Sequence, residues 1–369
     1  MVEYDSIPGV SEMRVSIAPK QRSRGARRQG RHKAVPGWRA HAPRLRVLAL
    51  VPLALAASLV AANALAGRDP APDAASSLLV TVTSSVPPTT RPPDDRAARA
   101  APRAPAPAVT RPFSTTRNGV SCSGPGTTPA RALALRVQTK VGSALHDIDA
   151  RVAFAAEDSA TGLQCSFRAT THYDCASIVK AAIVSALLVQ RHDGHRSLSR
   201  AERIWAHAAI TRSDNNAASA LWRTVGGVSG MRRFFARAGM KRTVPSVYWG
   251  LTQVTAGDEL TLLRKITRPG LLATADRRYL QGLMASVIRE QRWGVPTGAP
   301  SAGRVGNKNG WLLRSTRGWR VHSIGWVQLR TTTYDVVLLS DEDDTFDGGT
   351  DRLGTVARAV HLAFGAGRS

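Results

Sequence analysis

The stretch that most restricts this chain is residues 177–188, Ser-Ile-Val-Lys-Ala-Ala-Ile-Val-Ser-Ala-Leu-Leu. Its apolar residues fall on every face of a helix, so the helix has to be buried nearly all round. Yet it contains Lys180, and an ammonium is seldom taken out of water without a partner or a purpose. Ser177 stands three residues earlier, which puts hydroxyl and amine on one face, a turn apart. A serine at a helix start feels the positive end of the helix dipole, which favours a developing oxyanion. A buried lysine gives up its proton more easily, because burial penalises its charged form. The pair reads as a nucleophile and its base, and no other Ser-x-x-Lys occurs in the chain.

Two further signals follow in order. Ser213-Asp214-Asn215 sits between helical stretches at 201–211 and 214–224. Ser, Asp and Asn are all good helix caps, and a hydroxyl held at a cap is placed to pass a proton to a leaving nitrogen. Asn215 is suited to bind a substrate amide and Lys180. Lys308-Asn309-Gly310 follows a loop at 293–304 and opens a sheet edge. Its glycine lets a substrate lie against the backbone, Lys308 offers charge to a substrate carboxylate, and Asn309 offers an amide donor. Asn-Gly on its own is equally a turn.

Around these signals the pattern alternates helix and strand. Leu133, Val137, Val141 and Leu145, each four apart, predict a helix over 129–146. Residues 150–157 and 163–169 predict a hairpin around the turn 158–162. Helices are expected from Ser177, at 201–211, 214–224, 258–267 and 272–291, and a closing one at 352–364. Strands are expected at 320–328 and 333–340. Strands at both ends with helices between predict an α+β domain, an antiparallel sheet with helices packed on it and a helical insert.

The three signals, their order and their contexts resemble the class A β-lactamase-related serine hydrolases, within the β-lactamase and penicillin-binding protein superfamily. The resemblance covers about residues 128–369. It extends to RVAFAAEDSATGLQCSFRA, similar to the family's opening hairpin, and to ITRSDNNAASALWRTVGG, similar to its second-motif helix. The turn Thr255-Ala-Gly-Asp258 resembles the one after the family's omega loop. It implies a five-stranded antiparallel sheet flanked by helices, with an all-helical subdomain, and no cofactor. It implies Ser177 as acylated nucleophile, Lys180 as proton acceptor, Ser213 as proton shuttle and Asn215 as substrate orienter. Lys308 would hold the carboxylate, and backbone N–H groups of Ser177 and Trp311 would form the oxyanion hole. The implied substrates are β-lactams or D-alanyl cell-wall peptides.

Two departures stand out. Asn309 occupies a position where the family usually has Thr or Ser. No Asp or Glu occurs between Asp214 and Asp258, so the loop KRTVPSVYWGLTQVTAG lacks the glutamate that activates the deacylating water in class A enzymes. Gln253 cannot serve as a base. Acylation with slow hydrolysis is the leading expectation. The alternatives are a β-lactamase with another deacylation base, Lys180 among the candidates, and a non-catalytic module that binds wall peptides. Trp293 and Trp311 beside the third signal suit a cleft wall or core packing equally. His172 and His322 read as structural.

The rest of the chain bears on location. Residues 1–46 carry 11 Lys/Arg against 3 Asp/Glu and read as a disordered cytoplasmic leader. Residues 47–66 have no charge and follow Arg44 and Arg46; at ~1.5 Å per residue they match a bilayer core of ~30 Å. Ala64-Leu65-Ala66 equally makes a signal-peptide cleavage site. Either reading puts the C-terminal part outside the cytoplasm. Residues 67–127, rich in Pro, Ala, Ser, Thr and Arg, are expected to form an extended linker, with the folded domain from Thr128. The net charge of +25 suits anionic wall polymers. Arginines are scattered without a basic stripe or interleaved aromatics, which argues against nucleic acid. Cys122, Cys165 and Cys175 fit an oxidising compartment and allow one internal pair. Cys122–Cys165 would staple the linker end to a strand and leave Cys175 near the active site. No metal site is expected, because no Cys-x-x-Cys or His-x-x-x-His spacing occurs.

Overall fold

A computed structural model describes residues 111–148, 151–316 and 318–365. The leader at 1–46 and the hydrophobic segment at 47–66 lie outside them, as does the linker up to residue 110. Among the described residues no helix is long and apolar enough to cross a membrane.

The chain opens with a hairpin, β1 (Phe113–Arg117) and β2 (Val120–Gly124), then α1 (Thr128–His146). Thr127 caps α1 by accepting from the Ala130 N–H at 3.4 Å. Its buried face contains Leu133, Val137, Val141 and Leu145, the residues picked out by their spacing. Strands β3 (Arg151–Asp158), β4 (Gln164–Phe167) and β5 (His172–Asp174) lead to α2 (Val179–Asp193). The helical part follows: α3 (Arg200–Thr211), α4 (Asn215–Thr224) and α5 (Gly227–Ala238). After β6 (Gln253–Thr255) come α6 (Ala256–Thr267) and α7 (Thr274–Ala285). The chain returns to the sheet through β7 (Arg304–Arg314), β8 (Gly318–Gln328) and β9 (Thr333–Asp343), and closes with α8 (Phe346–Phe364).

The main sheet runs β1-β2-β4-β3-β9-β8-β7, and its pairs are all antiparallel. Its central strands are apolar on both faces because both are covered. Along β3, Val152, Phe154 and Ala156 join the layer formed with α1 and α8, while Ala153 and Ala155 join the layer of α2 to α7. That alternation follows from the period of two of an extended chain.

The α+β architecture stands, with two corrections. The sheet has seven strands rather than five: β4, β3, β9, β8 and β7 are the expected five, and the hairpin β1–β2 extends the edge beyond β4. That hairpin lies inside the stretch expected to be linker, so the folded domain begins by Phe113 rather than at Thr128. The physical reason is Cys122 and Cys165, which face each other across β2 and β4 and are bonded with an S–S distance of 2.08 Å. Val120 and Cys122 turn into the core, and Gln138 of α1 donates to the Val120 carbonyl at 3.1 Å. The helix expected over 272–291 ends at Ala285, and only a single turn at Arg289–Gln291 continues it.

Candidate active site

Ser177 lies in a single 3₁₀ turn, Ala176–Ile178, immediately before α2, and the edge strand β7 packs against that turn. The approach is too close for a side chain. A Cβ on Gly310 would stand 2.7 Å from the Ser177 nitrogen and 2.8 Å from the Ile178 nitrogen. Glycine is required there by the nucleophile turn itself. Trp311 comes next along the same strand.

Lys180 is fully buried one turn further on. Its Nζ donates to the Ser213 carbonyl at 2.6 Å, the Ser213 Oγ at 3.1 Å and Asn215 Oδ1 at 2.8 Å. Three acceptors satisfy the three donors of an ammonium. Burial nevertheless pulls its pKa down to about 7, against the weaker pull of Asp214 and Cys175 in the other direction. Lys308, also fully buried, donates to the same Ser213 Oγ at 2.9 Å and to the Asn309 carbonyl at 2.7 Å. Burial, and then the neighbouring Lys180, hold it well below its usual range. Among the described residues no carboxylate forms an ion pair with either lysine.

The capping question at the second signal resolves onto one residue. Asp214 Oδ1 accepts from the Ala217 N–H at 2.7 Å and caps α4, which leaves the Ser213 hydroxyl for the two lysines. Ser213 has φ of 59° and Ala176, just before the nucleophile, has φ of 47°. Left-handed backbone at non-glycine residues costs energy and concentrates where geometry is imposed by function. Asn215 is exposed, with its Oδ1 engaged by Lys180.

Asn309 is not where the sequence reading puts it. Its side chain is fully buried and donates to the Gln291 carbonyl at 2.9 Å and the Trp293 carbonyl at 3.0 Å, while its Oδ1 accepts from Asn307 Nδ2 at 3.1 Å. Both amide hydrogens are used, so none is left for a substrate carboxylate. Asn309 ties β7 to the preceding loop and is not a substrate-binding side chain. Trp293 and Trp311 are half-buried and meet edge to face, ring centroids 6.1 Å apart, with Phe346 against both. His322 is buried: its Nδ1 accepts from the Ser340 N–H at 3.3 Å and its Nε2 donates to the Asp174 carbonyl at 2.9 Å. Cys175 is buried with a free thiol two residues before Ser177.

One site residue is not anticipated from the sequence. Trp249, in the carboxylate-free loop, lays its ring over Lys180 with Nζ 4.9 Å from the ring centroid. The only signal for it in the sequence is an aromatic residue in a loop that lacks a base.

Comparison with known proteins bears on the fold. Residues 202–364 match the β-lactamase enzyme family. A search of curated proteins finds no match. Among solved structures the chain is similar to a variant of the reconstructed class A β-lactamase of the last common ancestor of Gram-negative bacteria. Identity is 21%, the TM-score is 0.56, and the match covers 62% of this chain and 98% of that one. It is similar to a β-lactamase from Xanthomonas campestris at 18% identity and TM-score 0.54, over 61% of this chain and 96% of that one. It is similar also to a class A representative from Bacteroides cellulosilyticus at 18% identity and TM-score 0.55, over 62% and 97%. The domain has the class A β-lactamase fold, and its residues 202–364 match the model of the β-lactamase enzyme family.

Proposed function

We propose that this chain is an exported serine hydrolase whose Ser177 is acylated by β-lactams and D-alanyl wall peptides, and whose acyl-enzyme hydrolyses slowly. The observation that carries the reading is the convergence of Lys180 and Lys308 on one oxygen, Ser213 Oγ, at 3.1 and 2.9 Å. In acylation, Ser177 Oγ bonds to the substrate carbonyl carbon and its proton goes to neutral Lys180. The pKa of about 7 leaves a substantial neutral fraction at neutral pH. Ser213 hands a proton to the leaving nitrogen as the C–N bond breaks. N–H groups of Ser177 and Trp311 meet the developing oxyanion.

An anionic substrate suits the electrostatics. Two buried lysines without an acidic partner lack a counter-charge, and a substrate carboxylate supplies it. Slow hydrolysis follows from the loop between Asp214 and Asp258, which holds no carboxylate to activate water. A second reading, a β-lactamase that deacylates through Lys180, is favoured only by that lysine's lowered pKa. Location outside the cytoplasm rests on residues 1–66 and their basic and hydrophobic blocks.

The test is the intact mass of the full chain after incubation with benzylpenicillin, beside Ser177→Ala. A persistent adduct on the wild type alone is the expected result. Rapid loss of penicillin without an adduct would favour the second reading. Neither adduct nor turnover would leave a binding module.

A further inference from the structure

We infer that Trp249 is a positioning residue that closes the Lys180 side of the acyl-enzyme against water, so that the lifetime of the covalent intermediate is set by this indole. The inference rests on the proposal that Ser177 is acylated, and it adds the structural cause of slow release.

The position of Trp249 is fixed from three sides. Its Nε1 donates to Ser219 Oγ at 3.1 Å. Ser219 lies on α4, the helix capped by Asp214 of the second signal. The Trp249 carbonyl accepts from Cys175 Sγ at 3.2 Å. Its own turn, Trp249–Leu251, is joined to the approach to Ser177, because the Cys175 N–H donates to the Thr252 carbonyl at 2.9 Å. The pairing of β5 with β6 continues that seam. The residue is therefore held between the approach to the nucleophile turn and the helix that begins at Asn215, just after Ser213.

Three apolar side chains of the loop point outward, while Val254 joins the core. Val244, Val247 and Tyr248 are 57%, 74% and 57% exposed. The tryptophan ring is half-buried and lies over Lys180, the amine proposed as base. Lys180 is fully buried beneath it. An indole over an amine has two effects: its face attracts the ammonium, and its bulk occupies the volume a hydrolytic water would need.

Deacylation requires that water. Its oxygen bonds to the acyl carbon, its proton passes to neutral Lys180, and the carbon–oxygen bond to Ser177 breaks as the proton returns to Oγ. The product is the free carboxylic acid, and no other reactant is needed. With the indole in place this base has no water to deprotonate.

The experiment forms the Ser177 adduct in the full chain with benzylpenicillin and, separately, with p-nitrophenyl acetate. Excess reagent is removed and decay is followed by intact mass. Trp249→Ala is expected to shorten the lifetime by about tenfold or more, as water gains access to the base. Trp249→Phe, which keeps a ring over Lys180, should stay within about threefold of the wild type. Ser219→Ala removes only the hydrogen bond that pins the indole. It should shorten the lifetime by a smaller factor, and it covers the case of an unfolded Trp249→Ala. An adduct that forms but decays equally fast in wild type, Ser219→Ala and a folded Trp249→Ala would overturn the role of Trp249 alone. Failure of both reagents to acylate Ser177 would overturn the acyl-enzyme reading together with it.

Discussion

Lys180 and Lys308 donate to the same oxygen, Ser213 Oγ, from 3.1 and 2.9 Å. A hydroxyl has two acceptor sites and one donor. With both acceptor sites taken by N–H groups of the two lysines, Ser213 can only give its proton outward. That makes it a proton donor by exclusion, aimed at whatever occupies the cleft, and it explains why Asp214 rather than Ser213 caps α4.

Ser213→Ala should therefore slow acylation by benzylpenicillin by about 10²-fold or more, the usual contribution of a positioned proton donor. Binding of the intact ligand should weaken far less, because Asn215 and Lys308 are retained. Stopped-flow acylation rates set against ligand concentration separate the two effects. Equal losses in rate and affinity would assign Ser213 to binding instead.

Acylation should depend on pH with a definite sign. Lys180 accepts the nucleophile's proton only when neutral, and burial holds its pKa at about 7. The rate should be low at pH 5.5, climb through pH 7 and level off above pH 8. The neighbours Asp214 and Cys175 act in the opposite direction and are outweighed by burial. A pH profile of the acylation rate checks this. A midpoint near 10, the ordinary lysine range, would mean that Lys180 is not the base.

Much of this site was legible in the sequence for a simple reason. Its parts are local: a serine and lysine one turn apart, a cap triplet, a lysine and glycine on one strand. The apolar run around Lys180 announced its burial, because a helix apolar on every face has nowhere to go but inside. What escaped depends on long-range packing. The clash that demands Gly310 is with the Ser177 turn, more than a hundred residues away in the chain. The hairpin β1–β2 is short and polar, and only its disulfide and sheet pairing reveal it as part of the domain. Trp249 reaches Lys180 through the tertiary path of its loop. The place of Asn309 is not legible either, because the sequence does not tell which carbonyls a buried amide meets.

Asn309→Thr makes that last point testable. A reading in which residue 309 binds the substrate carboxylate predicts better acylation with threonine. The structure predicts the reverse. Threonine cannot serve the carbonyls of Gln291 and Trp293 together with Asn307, so buried polar groups lose partners at about 1–3 kcal/mol each. The variant should melt several degrees lower and acylate no faster. Thermal denaturation followed by circular dichroism, with acylation rates measured below the transition, decides between the two.

Glu259 gives a separate handle on stability. It lies on α6, fully buried, and neither carboxyl oxygen has a hydrogen-bond partner. Burial, and then Asp258, push its pKa up from 4.5 to about 8. A folded-state pKa above the unfolded one means that the native protein holds a proton the unfolded chain releases. The resulting stability is fully present below about pH 4.5, shrinks as pH rises, and is gone above about pH 8. Glu259→Gln keeps the shape and removes the titration. The melting temperature of the wild type should fall relative to that of Glu259→Gln as pH is raised from 5 to 8.5. A constant difference between the two over this range would show that Glu259 is ionised, or paired, in the native state throughout.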